Sequence, residues 1–109
     1  MTHQAFLKEA GGFIDDNAPK RMYEIAASMG VVDFVIPGNK PEKSLEYVNL
    51  IKNKIKNPVF YSPGLITQGG SISDLAKKLD SWHAIIGRAI YEAKDMRKAA
   101  EEFAKELRF

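Results

Sequence analysis

Two stretches of this chain combine residue types that can hold an anion. Ile86-Gly87-Arg88-Ala89-Ile90-Tyr91 follows the apolar run His83-Ala84-Ile85-Ile86 and opens a helical pattern. A strand that ends in Gly-Arg at a helix start can bind phosphate. Glycine lets the backbone come close, free N–H groups point at the ligand, and arginine offers a planar two-pronged donor. Earlier in the chain, Ser62-Pro63-Gly64-Leu65-Ile66-Thr67-Gln68-Gly69-Gly70 follows a second apolar run, Val59-Phe60-Tyr61. Two glycines before a helix can open a backbone nest for the same anion. Asp74-Leu75-Ala76-Lys77-Lys78-Leu79-Asp80 also carries chemistry-capable groups, but on what reads as a helix.

These loops need elements to hold them side by side. Residues 1–16 read as a loop with a short apolar patch. Asn17-Ala18-Pro19 predicts a helix capped by Asn17, running to about Met29, with Met22, Ile25, Ala26 and Met29 as its apolar face and Gly30 as its stop. Strands are expected near 32–36, 58–62 and 83–87, and further helices near 41–54, 73–79 and 95–107. Leu45, Val48, Ile51 and Ile55 share one face of the second helix. This alternation means βα units and a parallel sheet, and strands apolar throughout are expected to be buried on both faces. Consecutive βα loops that converge on one phosphate are the arrangement of a (β/α)8 barrel, whose last two loops often hold such a group.

Composition narrows the classes. The chain has 109 residues, 45% hydrophobic and 28% charged, enough for one small soluble domain. A net charge of +2, with lysines interspersed among glutamates, argues against a nucleic-acid partner. Cysteine is absent, which removes disulfides, thiolate metal sites and cysteine nucleophiles. No apolar run is long enough to span a membrane, and Met1-Thr2-His3-Gln4 lacks a signal-peptide core, so a cytoplasmic protein is expected. His3 and His83 sit on different elements with no third ligand beside them, so no metal site is expected. His83 should lie at the end of the sheet away from the loops, with Trp82 as a partly buried anchor there. Lys94, Arg97, Lys98, Glu101, Glu102 and Lys105 form a solvated helix face, with pairs such as Lys98–Glu102 and Glu101–Lys105 at helical spacing.

Four stretches together resemble orotidine 5′-phosphate decarboxylase of the archaeal type. Met1-Thr2-His3 is similar to the family's Met-Ser-His after its fifth strand. Pro37-Gly38-Asn39-Lys40-Pro41-Glu42 resembles Pro-x-Thr-Arg-Pro-Glu after the sixth. Ser62-Pro63-Gly64 with Gln68-Gly69-Gly70 resembles the loop after the seventh, and Ile86-Gly87-Arg88-Ala89-Ile90-Tyr91 that after the eighth. All four occur in order. The resemblance implies the C-terminal half of a (β/α)8 barrel, residues 1–109 forming one partial barrel domain. The family removes CO2 from orotidine monophosphate to give uridine monophosphate, without a cofactor. Its catalytic lysines and aspartates lie in the other half and have no counterpart here.

By the same resemblance, Gln68, Gly69, Gly87 and Arg88 grip the substrate's phosphate, and Thr2, Pro63 and Leu65 contact the base. Two departures stand out. Lys40 replaces the family's arginine, a point charge in place of a fork. Leu65-Ile66-Thr67 replaces a glycine-containing stretch, and a β-branched Ile66 is unsuited to positive φ, so this loop is expected to run differently. The implied partners are a nucleotide monophosphate and either a second chain carrying the N-terminal half of the barrel or a second copy of this one. Alone, the chain should bind weakly and catalyse nothing. The rival reading is a catalytically inactive phosphate-binding half-barrel that self-associates.

Overall fold

Proline and glycine punctuate the chain as their backbone limits require. In the computed structural model, which describes residues 3, 5–66 and 72–107, helix α1 spans Ala18–Ser28 with Pro19 in its first turn. Gly30 follows it at φ 89°, a conformation that side chains disfavour. The cap departs from expectation. Asn17 makes no side-chain capping bond, and Asp15 Oδ1 instead accepts the Asn17 N–H at 3.0 Å. Residues 8–10 form one 3₁₀ turn, and Leu7 bridges Ile14, so the expected N-terminal loop is partly ordered.

The rotation of α1 also departs from expectation. Pro19, Tyr23 and Ala27 face the core, while Met22, Ile25 and Met29 are 68%, 50% and 78% exposed. Tyr23 decides this. Its ring packs against Tyr47 and Phe34, with centroids 5.0 and 6.1 Å away, and its hydroxyl donates to the Val35 carbonyl at 2.6 Å. A large ring that also satisfies its polar tip outweighs flexible methionines for the inner position. Burial, with Tyr47 beside it, pushes the Tyr23 phenol far above its ordinary value of 10.0. A raised folded value means stability present below pH 10 and lost as pH climbs above it, because only the unfolded chain ionises easily. Urea midpoints measured from pH 9 to 11 should therefore fall, and Tyr23→Phe should flatten that fall. An equally steep fall in the variant would assign the alkaline loss elsewhere.

Strands β1 (Asp33–Val35), β2 (Val59–Ser62) and β3 (Trp82–Ala84) form one sheet in the order β1-β2-β3, both pairings parallel. Phe34 pairs with Phe60 and Phe60 with Trp82. Each strand leads into a helix: α2 (Pro41–Lys52), α3 (Ile72–Ala76) and α4 (Arg88–Tyr91), with α5 (Met96–Glu106) last. Phe34, Ile36 and Phe60 pack with Tyr47, Val48, Ile51, Leu75 and Leu79, and Leu45 and Ile55 lie at the margin. That is the face expected of α2, with Tyr47 added.

The other face of the sheet is uncovered among the described residues, contrary to the expectation of burial on both sides. Asp33, Val35 and His83 are exposed on it and Tyr61 half-exposed. Period-2 alternation puts these residues opposite Phe34 and Phe60, and no described helix packs there. The Tyr61 ring stacks on His83 at 5.0 Å, and its hydroxyl donates to Asp33 Oδ1 at 3.2 Å. His83 thus belongs to the open face near mid-sheet and not to the remote end. On α5, Asp95 caps the helix by accepting the Lys98 N–H. The ion pair there is Arg97–Glu101 at 3.0 Å, in place of the two pairs expected. No helix among the described residues is long and apolar enough to cross a membrane.

Candidate phosphate and base site

Parallel pairing brings the C-terminal ends of the three strands to one edge, where the chemistry-bearing loops begin. The ladder continues past the strands. Ile36 N–H donates to Tyr61 O at 2.8 Å, Gly38 N–H to Pro63 O at 2.8 Å, and Ile85 N–H to Ser62 O at 2.9 Å. Ser62 is fully buried, and its Oγ accepts the Trp82 indole N–H at 2.7 Å, tying β2 to β3. Trp82 is partly buried, as expected, but its indole reaches toward the loop end of β2 and not the remote end of the sheet. The loops after β1, β2 and β3 are therefore neighbours.

Gly38 shows why the first two loops lie so close. A Cβ there would stand 2.6 Å from Pro63 O and 2.7 Å from the Leu65 side chain, so only glycine fits. The sequence reading missed this contact, although Pro37-Gly38 after an apolar run was its visible signal. Leu65 is buried and lies beneath this junction, while Pro63 is half-buried. Leu65 is thus the floor of the loop. Ile66 does adopt the positive φ that its side chain disfavours, at 64°. Left-handed backbone costs a branched residue about 1–2 kcal/mol. Ile66→Gly should accordingly raise the stability by roughly 1 kcal/mol after the added chain entropy, read as a higher urea midpoint. A lowered midpoint would mean that the half-exposed side chain contributes more than the strain costs.

Lys40 ties in the N-terminal segment. Its Nζ donates to the His3 carbonyl at 2.5 Å and lies 5.7 Å from the Phe6 ring centroid. Burial lowers its pKa below the ordinary lysine value. Lys43 adds an ion pair to Glu9 at 2.7 Å. The stretch just after Thr2 is thereby fixed to the start of α2, at the same edge as Pro63. No local sequence pattern reveals this pairing, since Lys40 and His3 lie 37 positions apart.

On the neighbouring strand, Gly87 precedes α4 and Arg88 is its exposed first residue. Among the described residues Arg88 makes no ion pair. Thr2, Gln68 and Gly69 lie outside the described residues. Of the seven sequence-derived site positions, Pro63, Leu65, Gly87 and Arg88 are described, on adjacent loops at one sheet edge. A cavity of about 280 Å³ lined by Lys52, Lys56, Asn57, Asp80 and Ser81 lies at the opposite end of the strands, apart from these loops. No cluster of three or more potential metal ligands occurs among the described residues.

The chain is 38% identical over 94 residues to the orotidine 5′-phosphate decarboxylase of Thermoplasma acidophilum, covering 86% of this chain and 41% of that enzyme. It is 37% identical over 83 residues to the Methanosarcina barkeri enzyme of the same name, covering 76% and 36%. With the Pyrococcus horikoshii enzyme it shares 33% identity over 109 residues, 99% of this chain and 48% of the relative. The chain therefore spans less than half the length of these relatives. Among solved structures it superimposes on orotidine 5′-monophosphate decarboxylase from Methanocaldococcus jannaschii, complexed with the inhibitor BMP. The TM-score is 0.78 at 27% identity, over 94% of this chain and 46% of the other. No family model matches the chain.

Proposed function

We propose, for a chain that belongs to the orotidine 5′-phosphate decarboxylase family through part of its barrel, that it supplies the substrate grip and not the bond-breaking groups. In this reading Arg88 and the amides of Gly87 and Gly69 hold the 5′-phosphate, and Gln68 bridges phosphate and base. Thr2 and Pro63 line the pyrimidine, and Leu65 supports them from below. The carbon–carboxylate bond breaks in a complete barrel whose first half provides aspartates against the carboxylate and a lysine to protonate the carbon left behind. Substrate is orotidine monophosphate, products are CO2 and uridine monophosphate, no cofactor takes part, and the setting is cytoplasmic.

One observation carries the reading. Pro63 and Arg88 follow adjacent parallel strands and emerge at one edge, with an exposed guanidinium on the second loop. Preorganised donors on neighbouring βα loops are what a dianion needs. The alternative, an inactive phosphate-binding half-barrel that self-associates, draws support from the uncovered sheet face, where Val35 and Ile85 are 53% and 47% exposed. Mixing this chain with the first-half segment of the Methanocaldococcus jannaschii decarboxylase separates the two. Orotidine monophosphate should be converted by the mixture and by neither component alone. An inert mixture in which the two pieces have associated would favour the inactive half-barrel.

A further inference from the structure

The open face of the sheet carries a polar row. In register across the three strands lie Val35, Tyr61 and His83, with Asp33 two residues before Val35 on the same face. The row is bonded to itself. The Tyr61 ring stacks on the His83 imidazole at 5.0 Å, with 20° between the planes, and the Tyr61 hydroxyl donates to Asp33 Oδ1 at 3.2 Å. Desolvation, and then the Asp33 carboxylate, hold the Tyr61 phenol above its ordinary value of 10.0, so it remains a donor. Asp33 and His83 are exposed, and neither joins an ion pair among the described residues. The interior face of a (β/α)8 barrel is filled mainly by Val, Ile and Leu. Here Val35 and Ile85, 53% and 47% exposed, flank groups of the opposite character.

We infer that the Asp33–Tyr61–His83 row keeps the open sheet face from stacking on a second copy of this chain. Two sheets packed face to face close to about 10 Å and expel the water between them. Closing over the row strips water from the Asp33 carboxylate and the His83 ring together. A copy offers each Asp33 at most an imidazole, and a buried ion pair at best breaks even against the water it displaces. The apolar return is small, because Val35 and Ile85 are already about half covered. Charged side chains set into an otherwise apolar sheet are a known means of blocking association between sheets. The inference stands whether or not the chain grips orotidine monophosphate, and it bears against the self-associating half-barrel. Exposed apolar surface at Val35 and Ile85 is by itself an invitation to pair. The row between and below them withdraws it.

The test reads self-association of the full chain by sedimentation velocity over a range of concentrations. Asp33→Val/His83→Val should self-associate at least about tenfold more tightly than the unsubstituted chain, because the face becomes apolar from one strand to the next. Circular dichroism should stay unchanged, since both positions are exposed and valine suits a strand. Adding Val35→Lys to that variant should return it to the behaviour of the unsubstituted chain, which ties the association to this face. If the double variant loses its circular dichroism signal, Asp33→Val and His83→Val taken singly carry the same comparison. Association no tighter than that of the unsubstituted chain would overturn the proposal. So would association that Val35→Lys leaves in place, since it would run through another surface. An unsubstituted chain that self-associates and is dispersed by Val35→Lys would overturn it in favour of a face that docks copies.

Discussion

Phe60→Ala is expected to remove a large share of the stability of this chain, at a cost of about 3–5 kcal/mol. Phe60 is fully buried on the central strand and contacts the sheet neighbours on either side. Its ring lies 6.4 Å from that of Phe34, centroid to centroid. No described helix or strand could slide in to fill the void, because β2 is held on both edges and α2 is anchored through Tyr47, Val48 and Ile51. A domain of this size holds only about 5–15 kcal/mol in all. Val35→Ala, on the same sheet but on its open face, should cost under about 1 kcal/mol, since a half-exposed side chain surrenders little burial. Urea titration of both variants gives the comparison. Similar losses would mean that the open face is covered in solution, and with it that the sheet is not bare as described.

The contrast between these two positions bears on what the sequence could reveal. Apolar runs bounded by glycine and proline placed all three strands to within a few residues, and their parallel pairing followed from the alternation with helices. The face each strand buries did not follow. Apolar residues at both parities fit a barrel interior, and the chain retains that composition even though nothing described covers one side. Likewise, the spacing of Met22, Ile25 and Met29 is indistinguishable from a core face by period alone. Tyr23, one position away, takes the inner place through a ring contact and a hydrogen bond that no window of sequence contains. What local pattern misses is competition between neighbouring residues for one buried position.

The candidate site divides along the same line. The loops at Gly87-Arg88 and Ser62-Pro63-Gly64 were legible because glycine and proline after an apolar run mark where a strand ends. The support beneath them was not. The Gly38–Pro63 approach, the buried Leu65 floor and the reach of Lys40 to His3 all join residues far apart in the chain. Ile66 is the instructive case, where intrinsic preference correctly marked a disfavoured backbone and the fold adopted it regardless. The buried Leu65 just before it, packed against Gly38, holds the turn in place.

Arg88→Ala, in the barrel assembled from this chain and its first half, should weaken orotidine monophosphate binding by several kcal/mol. A charge-assisted hydrogen bond is worth roughly 1.5–3 kcal/mol, and a guanidinium can make two to one phosphate. Nothing described competes for the group, which is exposed at the start of α4 and free of ion pairs among the described residues. Lys98→Ala, on the solvated face of α5, should change little, since an exposed charge there contributes about 0–1 kcal/mol. The decisive comparison uses a truncated substrate without the phosphate. Phosphate binding energy is gathered far from the reacting carbon and is expressed in kcal/mol of transition-state stabilisation only when the phosphate is present. The variant should therefore lose much of its kcat/KM toward the whole substrate and almost none toward the truncated one, converging the two. Equal losses on both would make Arg88 a structural residue of the β3–α4 turn. The phosphate would then have to be sought among other groups at this edge, where the Lys40 ammonium already donates to the His3 carbonyl.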